Sequence, residues 1–154
     1  AWDDPALADH DRPLAPRGIG AAQDLGQWLA SRGLVPDEVL CSDAVRTRET
    51  WAGIAPALLT IPELTLKPAL YHAGPDVMLA VLRHAKGNVV AMLGHNPGIA
   101  EFAHRLVAEA PPSEHFAKYP TGATLVVDFP RDWKDVEFGS GSAAEFIVPR
   151  ELVS

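Results

Sequence analysis

The sequence has one cysteine, Cys41, in 154 residues, which excludes an internal disulfide. Cys41 ends the apolar run Val39-Leu40-Cys41, so we expect a buried and unreactive thiol. Proteins without disulfides are typical of a reducing compartment, so the cytoplasm is the expected location. No apolar run is long enough to span a bilayer, and no signal-peptide pattern is visible, so we expect no membrane partner.

Basic residues are also scarce, with 13 Lys and Arg against 20 Asp and Glu and a net charge of −7. Binding to a nucleic-acid backbone requires a basic face, so this composition excludes a nucleic-acid partner. Hydrophobic residues make up 47% and charged residues 21%, a balance typical of a globular protein. The length permits one domain with a proper core, and we expect residues 1–154 to form it.

Apolar periodicity predicts strands that alternate with helices. After an irregular opening up to Pro16, helices are expected at 17–32, after Asp43, at 75–86 and after Pro97. Strands are expected at 38–41, 64–70, 89–93, 123–129 and 144–148. The continuous apolar run at 89–93 predicts a strand covered on both faces. This order predicts a single three-layer α/β domain, with a mostly parallel sheet and helices on both of its faces.

Two predicted strands end in residues suited to phosphate chemistry. Arg46 follows the first strand, where a guanidinium and free helix amides both favour a phosphate. His95 lies in the turn Gly94-His95-Asn96-Pro97 at the tip of a buried strand. Each residue also has an ordinary interpretation, Arg46 as a solvated helix residue and His95 as a turn residue. Their joint position at strand carboxyl ends, where functional groups gather in such sheets, favours a shared site.

The motifs Ser42-x-x-x-Arg46-x-x-Glu49-Thr50 and Gly94-His95-Asn96-Pro97 resemble two signatures of the histidine-phosphatase (phosphoglycerate-mutase-like) superfamily. Its SixA branch of phosphohistidine phosphatases is similar in further places. These are Asp11-Arg12-Pro13-Leu14 with Arg17-Gly18, Pro120-Thr121-Gly122-Ala123, and Phe146-x-x-Pro149-x-x-Leu152. The resemblance covers nearly the whole chain and implies a phosphoglycerate-mutase-like fold.

The resemblance implies a reaction in which a histidine attacks phosphorus and water then releases phosphate from the phosphohistidine enzyme. Arg46 would grip the phosphoryl oxygens, His95 would stabilise their charge, and Arg12 would be a third phosphate contact. Phosphoryl transfer depends mainly on positioning and charge neutralisation, which an Arg and a His supply without metal. The histidines His10, His104 and His115 lack the spacing of a metal site, so we expect no metal and no cofactor.

The nucleophile of the family stands in a first signature, a strand ending in Arg-His, which would precede Ala1. We therefore expect the polypeptide to extend upstream by one strand, flanked by the strands that lead to Arg46 and His95. The pair Arg83-His84 looks similar, but it ends a predicted helix rather than a strand, and a basic helix C-terminus is the preferred interpretation.

Many superfamily members present a glutamate as proton donor, and the corresponding segment Leu70-Tyr71-His72 has no carboxylate. An imidazole leaving group has a conjugate acid with a pKa of about 6.5 and departs without strong acid help, which suits phosphohistidine. His72 is a possible donor, although an ordinary loop histidine is the preferred interpretation. The expected function is a metal-independent protein phosphohistidine phosphatase. The alternatives are a phosphatase of a small metabolite and a non-catalytic phosphate- or phosphoprotein-binding module.

Overall fold

The computed structural model of the chain describes residues 9–149. Its helices are α1 (Pro16–Ser31), α2 (Val45–Ile54), α3 (Pro75–Arg83), α4 (Gly98–Leu106) and α5 (Glu114–Lys118). Its strands are β1 (Glu38–Cys41), β2 (Leu64–Leu66), β3 (Val90–Leu93), β4 (Thr124–Asp128) and β5 (Ser142–Ile147). Single 3₁₀ turns occur at Asp9–Asp11, Ala55–Ala57, Pro68–Leu70 and Trp133–Asp135.

A parallel sheet of order β2-β1-β3 forms the centre of the fold. Cys41 of β1 pairs with Leu93 of β3, so the two strands end side by side. The amide of Ser42 continues the ladder by donating to the carbonyl of Leu93 at 3.0 Å. The segments that carry Arg46 and His95 therefore leave the same edge of the sheet as neighbours.

Helices cover both faces of this sheet, because alternate residues of β1 point to opposite sides. Leu40 packs on one side with buried residues of α3 and α4, among them Met78 and Phe102. Val39 and Cys41 pack on the other side with α1 and α2, through residues that include Leu25 and Trp51. The predicted three-layer α/β class with a mainly parallel sheet is confirmed.

α1 and α2 approach each other closely at glycines. A Cβ on Gly26 would lie 2.4 Å from the carbonyl oxygen of Ile54, and a Cβ on Gly53 would lie 2.8 Å from the Cβ of Ala22. Pro56 ends α2 at Ile54 by removing a helix donor, as expected, and the chain continues as a 3₁₀ turn. The close approach of α1 and α2 at Gly26 and Gly53 determines how α2, and with it Arg46, lies on the sheet.

The strand β3 contacts both layers, through Val90 and Met92 on one side and Ala91 and Leu93 on the other. All of its residues nevertheless remain partly exposed, because β1 is its one partner strand within residues 9–149. The expected position of an upstream strand, between the strands leading to Arg46 and His95, is wrong, whereas the existence of such a strand stays a prediction. β1 and β3 are bonded directly along their whole length, so no strand fits between them.

The C-terminal part of the chain forms a separate antiparallel pair, β4 with β5. It packs with α4 and α5 around Phe116 and Tyr119. α5 was not predicted, although Ser113 caps it by accepting a hydrogen bond from the amide of His115 at 3.3 Å. The helix is only five residues long, which is too short for an apolar period to show.

Candidate active site

The turn between β1 and α2 is held by buried hydroxyl groups. The Ser42 hydroxyl accepts from the amide of Ala44 at 3.3 Å, and the Thr47 hydroxyl donates to the carbonyl of Ser42 at 2.9 Å. The N-cap of α2 is Ala44, whose side chain has no acceptor for the free amides of the first turn. The turn places Arg46 in the first turn of the helix.

Arg46 and His95 lie in contact at the ends of β1 and β3. The Arg46 Nη2 atom is 3.3 Å from His95 Nδ1, and His95 Nε2 is 2.8 Å from the Ser42 hydroxyl. A guanidinium has donors and no acceptor, so Nδ1 must accept. We therefore assign the proton of the neutral ring to Nε2, which donates to Ser42.

The electrostatics of His95 agree with this assignment. Burial, followed by the positive charge of Arg46, lowers the pKa of His95 to about 4. The ring is thus neutral near pH 7. Because Nε2 already carries the proton, it cannot act as a base toward Ser42, whose side chain is fully buried. The Ser42–His95 contact is structural and does not form a nucleophile–base pair.

Four side chains of the site contact one carboxylate, that of Asp9. Asp9 accepts from Arg12 Nη2 at 2.6 Å on Oδ1 and from Arg46 Nη2 at 3.2 Å on Oδ2. Its Oδ2 also accepts from the Tyr71 hydroxyl and lies 3.2 Å from His72 Nε2. The bond from Tyr71, and then those from the two arginines, lower the pKa of Asp9 well below its usual range. The donors of the site therefore surround a negatively charged oxygen group that the chain itself supplies.

The aromatic rings form one wall of this site. Tyr71 stacks on His72 with ring centroids 4.0 Å apart, and its edge meets His95 at 5.3 Å. The ring of His72 lies 5.8 Å from that of His95, so this loop histidine borders the site. Whether it is an ordinary loop histidine or a proton donor stays a prediction.

Arg12 lies at the outer side of the site and is linked to Arg46 through Asp9. Its segment is tied to α2 by the bonds from Arg46 to Asp9 and by a hydrogen bond from the amide of Leu14 to Glu49 at 2.7 Å. The bond between Leu14 and Glu49 joins two motifs that are far apart in the sequence. It places Asp11-Arg12-Pro13-Leu14 beside Ser42-x-x-x-Arg46-x-x-Glu49-Thr50.

Sequence reasoning did not find Asp9 or Tyr71. A tyrosine next to a histidine in an irregular loop carries no periodic signal, and Asp9 is one of several acidic residues in the opening segment. The arrangement of their partners is a tertiary property. Residues 1–8 and 150–154, which include Leu152 of the last motif, lie outside the described residues.

The side chains of Cys41, His84 and His104 lie away from the site, whereas the ring of His10 packs edge-on against that of Tyr71 at 5.0 Å. Cys41 is fully buried, and burial raises the pKa of its thiol to about 11, as its apolar neighbours suggest. His84 follows the end of α3 and donates to the carbonyl of Ala80 at 2.8 Å, which agrees with its interpretation as a helix terminus. His104 donates to the carbonyl of Phe116 at 2.7 Å.

Two classes of feature were not found in the part of the chain that the structure describes. Between residues 9 and 149 there is no group of three or more His, Cys, Asp or Glu side chains that could hold a metal ion. Over the same residues, no helix combines the length and apolar character needed to cross a membrane.

Comparison with known proteins gives consistent matches. Residues 5–71 match the family model described as histidine phosphatase superfamily (branch 1). An uncharacterized protein of Mycobacterium tuberculosis is 38% identical, over 94% of this chain and 93% of its own length. A protein proposed to be the phosphohistidine phosphatase SixA of Nakamurella multipartitia is 30% identical, with a TM-score of 0.79 over 94% of this chain and 88% of that one.

A third match shows the fold alone. The protein histidine phosphatase SixA, solved in complex with tungstate, is 22% identical with a TM-score of 0.77 over 96% of this chain and 90% of that one. The M. tuberculosis and N. multipartitia matches extend over nearly the full chain at 30% identity or more, and their extent agrees with the order of motifs in the sequence. The chain therefore belongs to the histidine phosphatase superfamily, in its SixA-type branch, and it is a phosphatase.

Proposed function

We propose that this phosphatase hydrolyses phosphohistidine on a protein partner in the cytoplasm, without metal or cofactor. The observation that carries the proposal is the convergence of Arg12, Arg46, Tyr71 and His72 on one carboxylate, that of Asp9. A phosphoryl group offers the same kind of charged oxygen, with a larger charge. We infer that it takes the position of the Asp9 carboxylate when substrate binds.

Arg46 and His95 are the proposed catalytic residues, with Arg12 as a further substrate contact. When Arg46 turns toward phosphoryl oxygens, it releases Nδ1 of His95. A nearby dianion favours the protonated form of a histidine, so the ring can then donate to a phosphoryl oxygen. In this role His95 stabilises the negative charge on the phosphoryl oxygens in the transition state. Such stabilisation, together with positioning, accounts for most of the catalysis of phosphoryl transfer.

The proposed attacking group is the histidine that the family resemblance implies upstream of Ala1. Among the described residues near the site, the Ser42 hydroxyl and the Cys41 thiol are both fully buried and cannot reach a substrate. We expect the attack to form a phosphohistidine enzyme, from which water releases phosphate. Arg46 and His95 would hold the phosphoryl oxygens through both steps.

The proton donors of the site favour a nitrogen leaving group. Among residues 9–149, the carboxylate at the anion position is that of Asp9, and its lowered pKa keeps it ionised at neutral pH before substrate binds. An alkoxide needs strong acid help to leave, whereas an imidazole does not. This supports phosphohistidine over an alkyl phosphate, and a small phosphorylated metabolite is the alternative substrate.

Phosphate release by the full-length protein tests the proposal. Phosphohistidine peptide, a sugar phosphate and phosphoglycerate are compared in parallel, and the peptide should have by far the highest kcat/KM. Arg46→Ala should reduce that value by about 100-fold or more. Arg48→Ala is the matched control, because Arg48 lies on the same helix but bonds only to the carbonyl of Asp43. Equal kcat/KM for the peptide and the sugar phosphate would refute the substrate assignment.

A further inference from the structure

A small cavity lies beside the anion position. Its volume is about 170 Å³, and it is lined by residues 72–74 before α3, by residues 96–98 before α4, and by Glu101 in the first turn of α4. His72 belongs both to this cavity and to the set of donors around Asp9. Asn96 lines the cavity and directly follows His95. A group attached to a phosphoryl bound at the Asp9 position would therefore lie next to this cavity.

The two segments that line the cavity, 72–74 and 96–98, pack tightly against each other. A Cβ on Gly98 would lie 1.8 Å from the carbonyl oxygen of Ala73, so only glycine allows α4 to start against the loop at 72–74. The Asn96 side chain is held by donation from Nδ2 to the carbonyl of Tyr119 at 3.1 Å. These contacts fix the two loops that face each other across the cavity.

The volume of the cavity suits one small ring. Sites for drug-sized ligands have volumes of about 300–1,000 Å³, so this cavity is small beside them. A cavity of about 150 Å³ is known to hold benzene, a ring of similar size to an imidazole. At about 170 Å³ the cavity matches a single aromatic side chain.

The charge in the cavity selects for a group that donates hydrogen bonds. Glu101 is its one formally charged residue, and its exposed carboxylate forms no hydrogen bond or ion pair with another residue between 9 and 149. A carboxylate repels a leaving group that carries a carboxylate or a second phosphate, and it attracts a ring N–H. Phosphohistidine presents such an N–H when the ring nitrogen that does not carry phosphorus is protonated, which is the form in which the ring leaves most readily.

We infer that this cavity is the leaving-group subsite, and that Glu101 determines specificity by accepting a hydrogen bond from the free ring nitrogen of a phosphohistidine. The inference rests on the proposed function, and it adds the residue that distinguishes an imidazole from other leaving groups. The bond to Glu101 stabilises the protonated ring nitrogen, which helps the ring leave. Glu101 forms no bond to phosphorus and transfers no phosphoryl group.

The test compares two substrates that share the phosphoryl group and differ in the leaving group. Phosphoimidazole in its protonated form has a ring N–H that can donate to Glu101, and p-nitrophenyl phosphate has no donor on its leaving group. In Glu101→Gln the ratio of kcat/KM for phosphoimidazole to that for p-nitrophenyl phosphate should fall about tenfold, because the carboxylate acceptor is replaced by a weaker neutral one. Glu109→Gln, an exposed residue beyond α4, should leave both values unchanged.

The outcomes separate the two proposals. If the wild-type protein hydrolyses phosphoimidazole and Glu101→Gln keeps the wild-type ratio, the role of Glu101 is refuted while the proposed function stands. If the wild-type protein hydrolyses p-nitrophenyl phosphate and leaves phosphoimidazole intact, the proposed substrate is refuted and the subsite with it. As a second variant, Glu101→Lys should improve kcat/KM for phosphoglycerate relative to the wild type, and no improvement would count against the charge argument.

Discussion

The guanidinium of Arg46 lies 3.3 Å from the imidazole of His95, although the two residues are separated by 49 positions in the sequence. The contact joins a helix start to a strand end and sets the protonation state of the histidine. Both residues are proposed to hold the phosphoryl group, so their electrostatic coupling matters for the chemistry. A change in one should be visible in the titration of the other.

We expect Arg46→Met to raise the pKa of His95 above the value of about 4 that it has in the intact site. The positive charge that opposes protonation is removed, whereas burial, the larger cause, remains, so the pKa should stay below its ordinary value. NMR titration of the histidine ring measures this. Arg48→Met should cause no such shift, and an unchanged His95 titration in Arg46→Met would contradict the assigned contact.

The stability of the fold should decrease as pH falls from about 6.5 to about 4. His95 has a folded pKa of about 4, and the unfolded chain binds the proton more readily at about 6.5. The neutral ring thus contributes stability that is present above the unfolded pKa and is lost toward the folded one. By linkage the loss is at most about 3 kcal/mol. Urea unfolding at several pH values checks it, with His95→Gln as the comparison that should lack this component.

Asp9→Asn should tighten the binding of inorganic phosphate by about tenfold, since a neutral amide competes less well for Arg12 and Arg46. Isothermal titration calorimetry at constant ionic strength measures the affinity. Asp11→Asn removes the same charge from the residue next to Arg12, which has no hydrogen bond or ion pair with either arginine, and it serves as the control. Weaker phosphate binding in Asp9→Asn than in Asp11→Asn would contradict the overlap of the two anion positions.

Gly26→Ala and Gly20→Ala should change stability in opposite directions, although both lie inside α1. Alanine favours a helix over glycine by about 1 kcal/mol, and nothing lies within 4 Å of a Cβ at Gly20. At Gly26 the added carbon would lie 2.4 Å from the carbonyl oxygen of Ile54, and α2 would have to move. We expect a loss of about 1–3 kcal/mol there in the free energy of unfolding, measured by denaturant titration. Equal effects at the two sites would contradict the close packing of α1 on α2.

The α/β class and most elements could be predicted from local patterns. The strand at 38–41 was predicted with its observed bounds, and Pro56 ended α2 as expected. Helix and strand periods, proline and glycine act within a few residues, so the sequence displays them directly. The helix α5 was not predicted, and β2 is shorter than the strand predicted at 64–70. Elements of three to five residues are too short to show a repeating apolar pattern.

The motifs likewise placed Arg12, Arg46 and His95 in advance, through a family resemblance carried by short ordered patterns. Their catalytic and binding roles remain predictions. What the tertiary structure decided is the direct pairing of β1 with β3, the assembly of Asp9, Tyr71 and His72 around the same place, and the cavity at Glu101. Strand neighbours and side-chain convergence depend on contacts between residues far apart in the chain. Such contacts leave no local pattern, because each partner is also an ordinary loop or helix residue when it is considered alone.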